Sequence, residues 1–201
     1  RATDIVYKGT EVLSSVSVPA IGRMPDISKL SSISYRLIIP EDTNFDLDQD
    51  RQTYKNNILV INKENVSSAS FAACSGNNNE LRSTPYIQSD SPFIMQQAES
   101  IVKDINNDLE KVMALAKWVY TNLEKKPVLS IPDALSTLRS KVGDCNEHAA
   151  LFAALSRSLF IPTRVVAGVT YHGGMFYYHA WNEVCLGGEW ISLDTTKNQL
   201  P

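Results

Sequence analysis

Three side chains in the last third of the chain are of the types needed for nucleophilic acyl chemistry: Cys145 in GDCNEHAAL, His179 in YYHAWNEV and Asp194 in WISLDTT. A thiol attacks as its thiolate, an imidazole can take and return the proton, and a carboxylate can fix the imidazole tautomer. Asp144-Cys145 follows Gly143 and precedes a long apolar run, which predicts that the cysteine opens a helix. There the helix dipole and unbonded backbone N–H groups favour negative charge. The three residues are too distant in sequence to meet locally, so the fold must assemble them.

The intervening segments read as the elements that would do so. In AALFAALSRSLF, Ala149, Ala150, Ala153 and Ala154 let neighbours approach closely, while Leu151, Phe152, Leu155 and Leu159 supply core bulk. A central, rigid helix is expected, holding the sulfur in one place. Pro162 should stop it. Thr163 to Tyr171 then reads as a buried strand, His172-Gly173-Gly174 as a turn into Phe176 to Leu186, and Gly187-Gly188 as a turn into Trp190 to Asp194. Side chains alternate along a strand, so His179, Trp181 and Glu183 share one face, as do Trp190, Ser192 and Asp194. Antiparallel pairing would bring Asp194 beside the His179 end. Trp118, Trp181 and Trp190 are core residues by default, though Trp181 is placed to wall a cleft.

These words and their order resemble the transglutaminase-like superfamily, in its bacterial branch. GDCNEHAALFAAL, IPTRVVAGV, HAWNEV and W-x-x-L-D-T-T carry the likeness, over roughly residues 86 to 201. It implies an α+β fold, a papain-like/transglutaminase-like core with a buried Cys-bearing helix packed on an antiparallel β-sheet. It also implies Cys145 as nucleophile, His179 as general base and acid, and Asp194 as the orienting carboxylate. Asp144, His148 and Trp181 would support the site or line its cleft. Members of the family usually run on beyond the point that residue 201 represents, so a further strand or domain is expected there.

Residues 1 to 85 read differently, as a small β-rich region. Ile33, Tyr35, Leu37 and Ile39 alternate with polar residues, Asn57 to Ile61 and Val66 to Ala72 are further strands, and Gly76-Asn77-Asn78-Asn79 is a loop. From Asp90 the period becomes helical. Ser91-Pro92 reads as cap and first helical residue before Ile94, Ala98, Ile101 and Ile105. Asp108 reads as the cap of a second helix through Val112, Leu115, Ala116, Val119 and Leu123, ended by Lys125-Lys126-Pro127. Ser130, Pro132 and Asp133 begin a short third one. The change of character places a domain boundary at about residue 85.

With 19 basic and 22 acidic side chains and no dense Lys/Arg block, the chain lacks the electrostatic footprint of a nucleic-acid binder. Its longest apolar stretch, near Ala149 to Leu155, is far short of the roughly 20 residues that span a bilayer. The chain starts with Arg, which reads as a processed or partial chain and leans towards an exported or cell-envelope protein. Cys74 and Cys185 would either form one bridge or pack as small unpaired thiols.

Competing readings follow from single residues. Cys145 and His148 are three apart and invite a zinc site, but a closed one needs four ligands and the paired Cys/His knuckles are missing, so no metal or other cofactor is expected. His172, beside two glycines, is an exposed turn residue. The chemistry expected of the triad is attack on an amide carbonyl and an acyl-thioester, with the Cys145 backbone N–H as first donor to the oxyanion. Gln96 and Asn122 are possible second donors. Water as acceptor gives a peptidase or amidase acting on a peptide or protein substrate; an amine gives a cross-linking transglutaminase. A peptide-binding module without turnover, and an assembly factor whose β region docks a partner, are the alternatives of a different class.

Overall fold

The computed structural model describes residues 17–22, 25–26, 29–40, 42–43, 45–49, 51–64, 78–128 and 131–200. The chain divides into two compact units, residues 22–69 and the remainder. The smaller holds a three-stranded antiparallel sheet of β2 (Ser32–Arg36), β3 (Gln52–Lys55) and β4 (Ile58–Asn62), with β4 in the middle. Leu59 sits opposite both Tyr35 and Tyr54 and is the buried residue of this sheet. Asn56 and Asn57 have φ of 52° and 62°, the left-handed pair that a two-residue hairpin turn needs. Asn57 is therefore turn rather than strand. The strand expected at Val66 to Ala72 lies outside the described residues, as do Gly76, Asn77 and Cys74.

The larger unit is built around one helix. Among the described residues its helices are α1 (Pro92–Ile101), α2 (Asp108–Asn122), α3 (Ala134–Ser140) and α4 (Cys145–Ser158), and α4 packs against the other three. Its other side meets β7 (Thr163–His172) and β8 (Met175–Leu186). Being covered on all sides, α4 is apolar nearly all round rather than along one stripe. Ala153, Ala154, Leu151, Phe152 and Leu155 are fully buried, against Ile94 and Ala98 of α1 and Val112, Leu115, Ala116 and Val119 of α2 in the same core.

The main sheet is antiparallel. β8 pairs with β7 along its length and with β9 (Glu189–Leu193) at its C-terminal half; β1 (Val18–Pro19) pairs with its start. Gly173, Gly174, Gly187 and Gly188 all have positive φ and close the two hairpins where the sequence placed them. Residues 78–90 straddle the change of sequence character near residue 85 and belong with the larger unit. A 3₁₀ turn spans Asn78–Leu81, and Arg157 of α4 donates to the Arg82 carbonyl at 2.7 Å.

Several boundaries differ from expectation. Asn107, not Asp108, caps α2, its side chain accepting from the Glu110 N–H at 3.1 Å. α1 ends at Ile101, and Ile105 lies beyond it. α2 stops at Asn122 rather than at Lys125-Lys126, because Glu124–Lys125 forms β5, which pairs in parallel with β6 (Val142–Gly143). Asp133 caps α3 by accepting from the Ser136 N–H at 3.0 Å, while Ser130 lies outside the described residues. α4 ends at Ser158, four residues before Pro162; Phe160 follows with φ of 61°. Among the described residues no helix is long and apolar enough to cross a membrane.

Phe152 fills the middle of this core with no exposure. Phe152→Ala is expected to lower the unfolding free energy by about 3–5 kcal/mol, measured by denaturant titration. A loss below about 1 kcal/mol would mean that α4 is not the centre of the fold.

Candidate active site

The N-terminal turn of α4 is built by its first four residues. Asp144 is the N-cap, in extended conformation, and its Oδ1 accepts from the Asn146 N–H at 2.9 Å. Glu147 closes a capping box by accepting the Asp144 N–H at 3.0 Å. The box requires glycine before it: a Cβ on Gly143 would lie 2.3 Å from the Glu147 Cβ. Pairing of Gly143 with Lys125 across β5 and β6 fixes the approach of the chain. Burial raises the Glu147 carboxyl to about 7, and the hydrogen bond to the Asp144 side chain acts in the same direction.

Cys145 follows as the first residue of α4, a free and half-buried thiol. His148, one turn on, is fully buried. Its Nδ1 lies 2.7 Å from the Asp144 carbonyl, which can only accept, so Nδ1 carries the hydrogen. Burial pushes the ring's pKa below the ordinary histidine value, the bond to Asp144 opposing it. His148 thus supports the helix from within and does not rim a cleft.

β8 delivers the imidazole. His179 Nε2 meets Asp194 Oδ2 at 2.7 Å, and the Cys145 side chain lies close enough to the ring to influence its titration. Asp194 is held in turn. Its Oδ1 accepts from the N–H groups of Thr196 (2.8 Å) and Lys197 (3.2 Å), and its backbone bridges to Gln199. Burial alone would lower the His179 pKa; the bond to Asp194, the nearness of Cys145 and their charges override it and raise the ring to about 9. For Asp194 burial pushes the pKa up, but His179 and the two backbone donors prevail and hold it below the ordinary value.

Trp181 stacks on His179 with centroids 6.3 Å apart and planes 21° from parallel. It needs Gly168, where a Cβ would come within 2.6 Å of the indole ring. Gly168 lies directly across from His179 in the sheet. Asn182 ties β8 to the helix by donating to the Ala149 carbonyl at 3.0 Å, and Tyr178 does so by donating to the Asn146 side chain at 3.2 Å. Sequence reasoning missed Gly143, Gly168, Tyr178 and Asn182. The strand parity of HAWNEV contained the signal for Asn182, which faces away from His179; nothing local marked either glycine.

The structure thus brings Cys145, His179 and Asp194 together, with Asp144, His148 and Trp181 around them. Gln96 is exposed on α1, and the Asn122 amide donates back to the Trp118 carbonyl at 2.9 Å. His172 is exposed at its turn. Cys185 is disulfide-bonded, so it is not an unpaired thiol packed as a hydrophobe. Among the described residues no three His, Cys, Asp or Glu side chains gather as a metal ion would need.

A sequence profile of the transglutaminase-like superfamily matches residues 95–195, which contain all three site residues. The chain belongs to the transglutaminase-like superfamily. No curated protein matches it. Among solved structures it is similar to a candidate cysteine protease of Cytophaga hutchinsonii, with a TM-score of 0.58 and 23% identity over 85% of this chain. It is also similar to the periplasmic domain of TgpA from Pseudomonas aeruginosa, with a TM-score of 0.51 and 16% identity over 90% of this chain. The chain spans 65% and 66% of the lengths of those two chains. At such identities the likeness is one of fold, and it agrees with the α+β architecture of the superfamily core.

The raised pKa of His179 makes stability depend on pH with a definite sign. A group whose folded pKa exceeds its unfolded value stabilises the fold fully below the unfolded value and ceases to do so above the folded one. The contribution of His179 is therefore complete below about 6.5 and lost as pH rises through about 9. Unfolding free energies of the wild type and Asp194→Asn, measured from pH 5 to 10, should converge across that window; parallel curves would contradict the assignment.

Proposed function

We propose that the chain performs thiol-dependent acyl transfer on peptide or peptide-like amides, with water as the acceptor. The observation that carries this reading is the single imidazole bound to Asp194 at 2.7 Å and lying near the Cys145 side chain, which acts on its titration. Raised to about 9, the ring holds its proton at neutral pH. That proton passes to His179 from the Cys145 thiol, the resulting thiolate attacks the amide carbon, the C–N bond breaks, and His179 gives the proton to the departing amine. Water then attacks the thioester, loses a proton to His179, and releases the carboxylic acid as the sulfur departs. The Cys145 N–H, at the mouth of the α4 dipole, donates to the oxyanion in both halves, worth about 3 kcal/mol when well aimed. Asp194 fixes the tautomer, and Trp181 holds the plane of the ring.

The exposure of the sulfur favours hydrolysis over cross-linking. Cys145 is half-buried rather than enclosed, which leaves an acyl-sulfur open to water at solvent concentration. A groove of about 610 Å³ has Glu147 in its lining; Pro127, Val128, Ile131 and Val142 form its apolar part and Asp133, Ser136, Thr137 and Ser140 its polar part, and Cys145, His179 and Asp194 do not line it. The protease name of the Cytophaga protein points the same way. Export belongs to this reading as well: a disulfide-bonded Cys185 fits an oxidising compartment, and the Pseudomonas structure is a periplasmic domain.

The test is mass spectrometry of peptide mixtures incubated with the protein, with and without a primary amine. Cleaved or deamidated peptides dominating over amine adducts is the expected outcome. Cys145→Ala should abolish turnover, and Asp194→Asn should lower kcat. Adducts in excess of hydrolysis would make the protein a cross-linker, and turnover surviving in Cys145→Ala would end the reading.

A further inference from the structure

The first turn of α4 leaves one backbone donor uncommitted by position. The Asn146 and Glu147 N–H groups are taken by the Asp144 side chain, and the His148 N–H by the Asp144 carbonyl at 3.0 Å. The Cys145 N–H has no carbonyl within its own helix to bind. It belongs to the same planar trans peptide unit as the Asp144 carbonyl, so the two point in opposite directions and turn together. Whatever pins that carbonyl aims that N–H.

Two donors pin it, and both come from His148. The backbone bond is present at any helix start. The second, from Nδ1 at 2.7 Å, exists only because residue 148 is a histidine. The ring is fully buried to make it, and its Nε2 has no hydrogen-bond partner among the described residues. A buried polar atom without a partner is unfavourable, so the ring is retained for what Nδ1 does.

We infer that His148 is a positioning residue for the oxyanion site, holding the Cys145 N–H on the developing negative oxygen through the Asp144 carbonyl. The inference rests on the acyl-transfer reading above. It assigns His148 no proton transfer and no contact with substrate. Its effect is confined to steps in which a carbonyl oxygen gains charge; simple alkylation of the sulfur has no such oxygen and does not need it.

That difference gives the test. Two rates are measured on Cys145 at fixed pH, each mapped by mass spectrometry: acylation by p-nitrophenyl acetate and alkylation by iodoacetamide. In His148→Leu and His148→Gln, acylation should fall by about 10- to 100-fold, short of the 10²- to 10³-fold lost when such a donor is deleted outright, while alkylation stays within about twofold. His148→Asn, whose side-chain amide sits where Nδ1 does, should recover most of the acylation rate. Thermal unfolding of each variant confirms that it is folded. If p-nitrophenyl acetate fails to acylate Cys145 in the wild type, the acyl-transfer reading falls and this inference with it. If it does acylate, and the variants lose both rates together, lose neither, or are not rescued by Asn, the role of His148 alone is overturned.

Discussion

A helix that begins inside a protein must satisfy its first N–H groups without water, and the site depends on how α4 meets that demand. Asp144 answers with its carboxylate and Glu147 with the reciprocal bond, while Gly143 leaves room for both. The result is a rigid first turn whose remaining donor lies at the residue bearing the thiol. Because α4 is also clamped by three helices and by β7 and β8, that turn cannot shift without disturbing the whole core.

The sheet then has one task, to carry an imidazole and a carboxylate to this fixed point. β8 is tied to the helix by Asn182 and Tyr178, on the strand parity opposite to His179, so the strand is registered against α4 before the imidazole is placed. β9 returns through a glycine turn and ends where Asp194 reaches His179. Asp194 is itself locked by two backbone N–H groups and keeps its charge despite burial. In a partly desolvated setting that fixed negative charge decides where the proton rests, and it rests on His179.

Much of this was legible in the sequence because it is local. Helical spacing and turn glycines placed β7, β8 and β9 within a residue at each end and α4 at its start, and strand alternation put His179 and Asp194 on matching faces. What escaped depends on partners distant in sequence. Val18–Pro19 reads as nothing by itself and becomes a strand only against Phe176 and Met175. Glu124–Lys125 continues a helical charge pattern, yet pairing with Val142–Gly143 takes it out of the helix. Gln52–Lys55 is too short and polar to signal a strand and is recruited by the Asn56-Asn57 turn. Nothing in the strand around Gly168 calls for glycine, and the demand comes from the Trp181 ring lying over it. The spacing of Cys145 and His148 invites a metal, whereas the His148 ring binds the carbonyl one turn behind it, which only the helix brings within reach.

The most direct test of the account is the titration of His179 by NMR of its ring nitrogens, tractable because the chain has three histidines and each can be assigned by substitution. His179 should remain an imidazolium through neutral pH and titrate near 9, falling back towards 6.5 when Asp194 becomes Asn. A wild-type value at or below 6.5 would mean that burial prevails over the Asp194 and Cys145 contacts, and that these three residues, though adjacent, do not work as one unit.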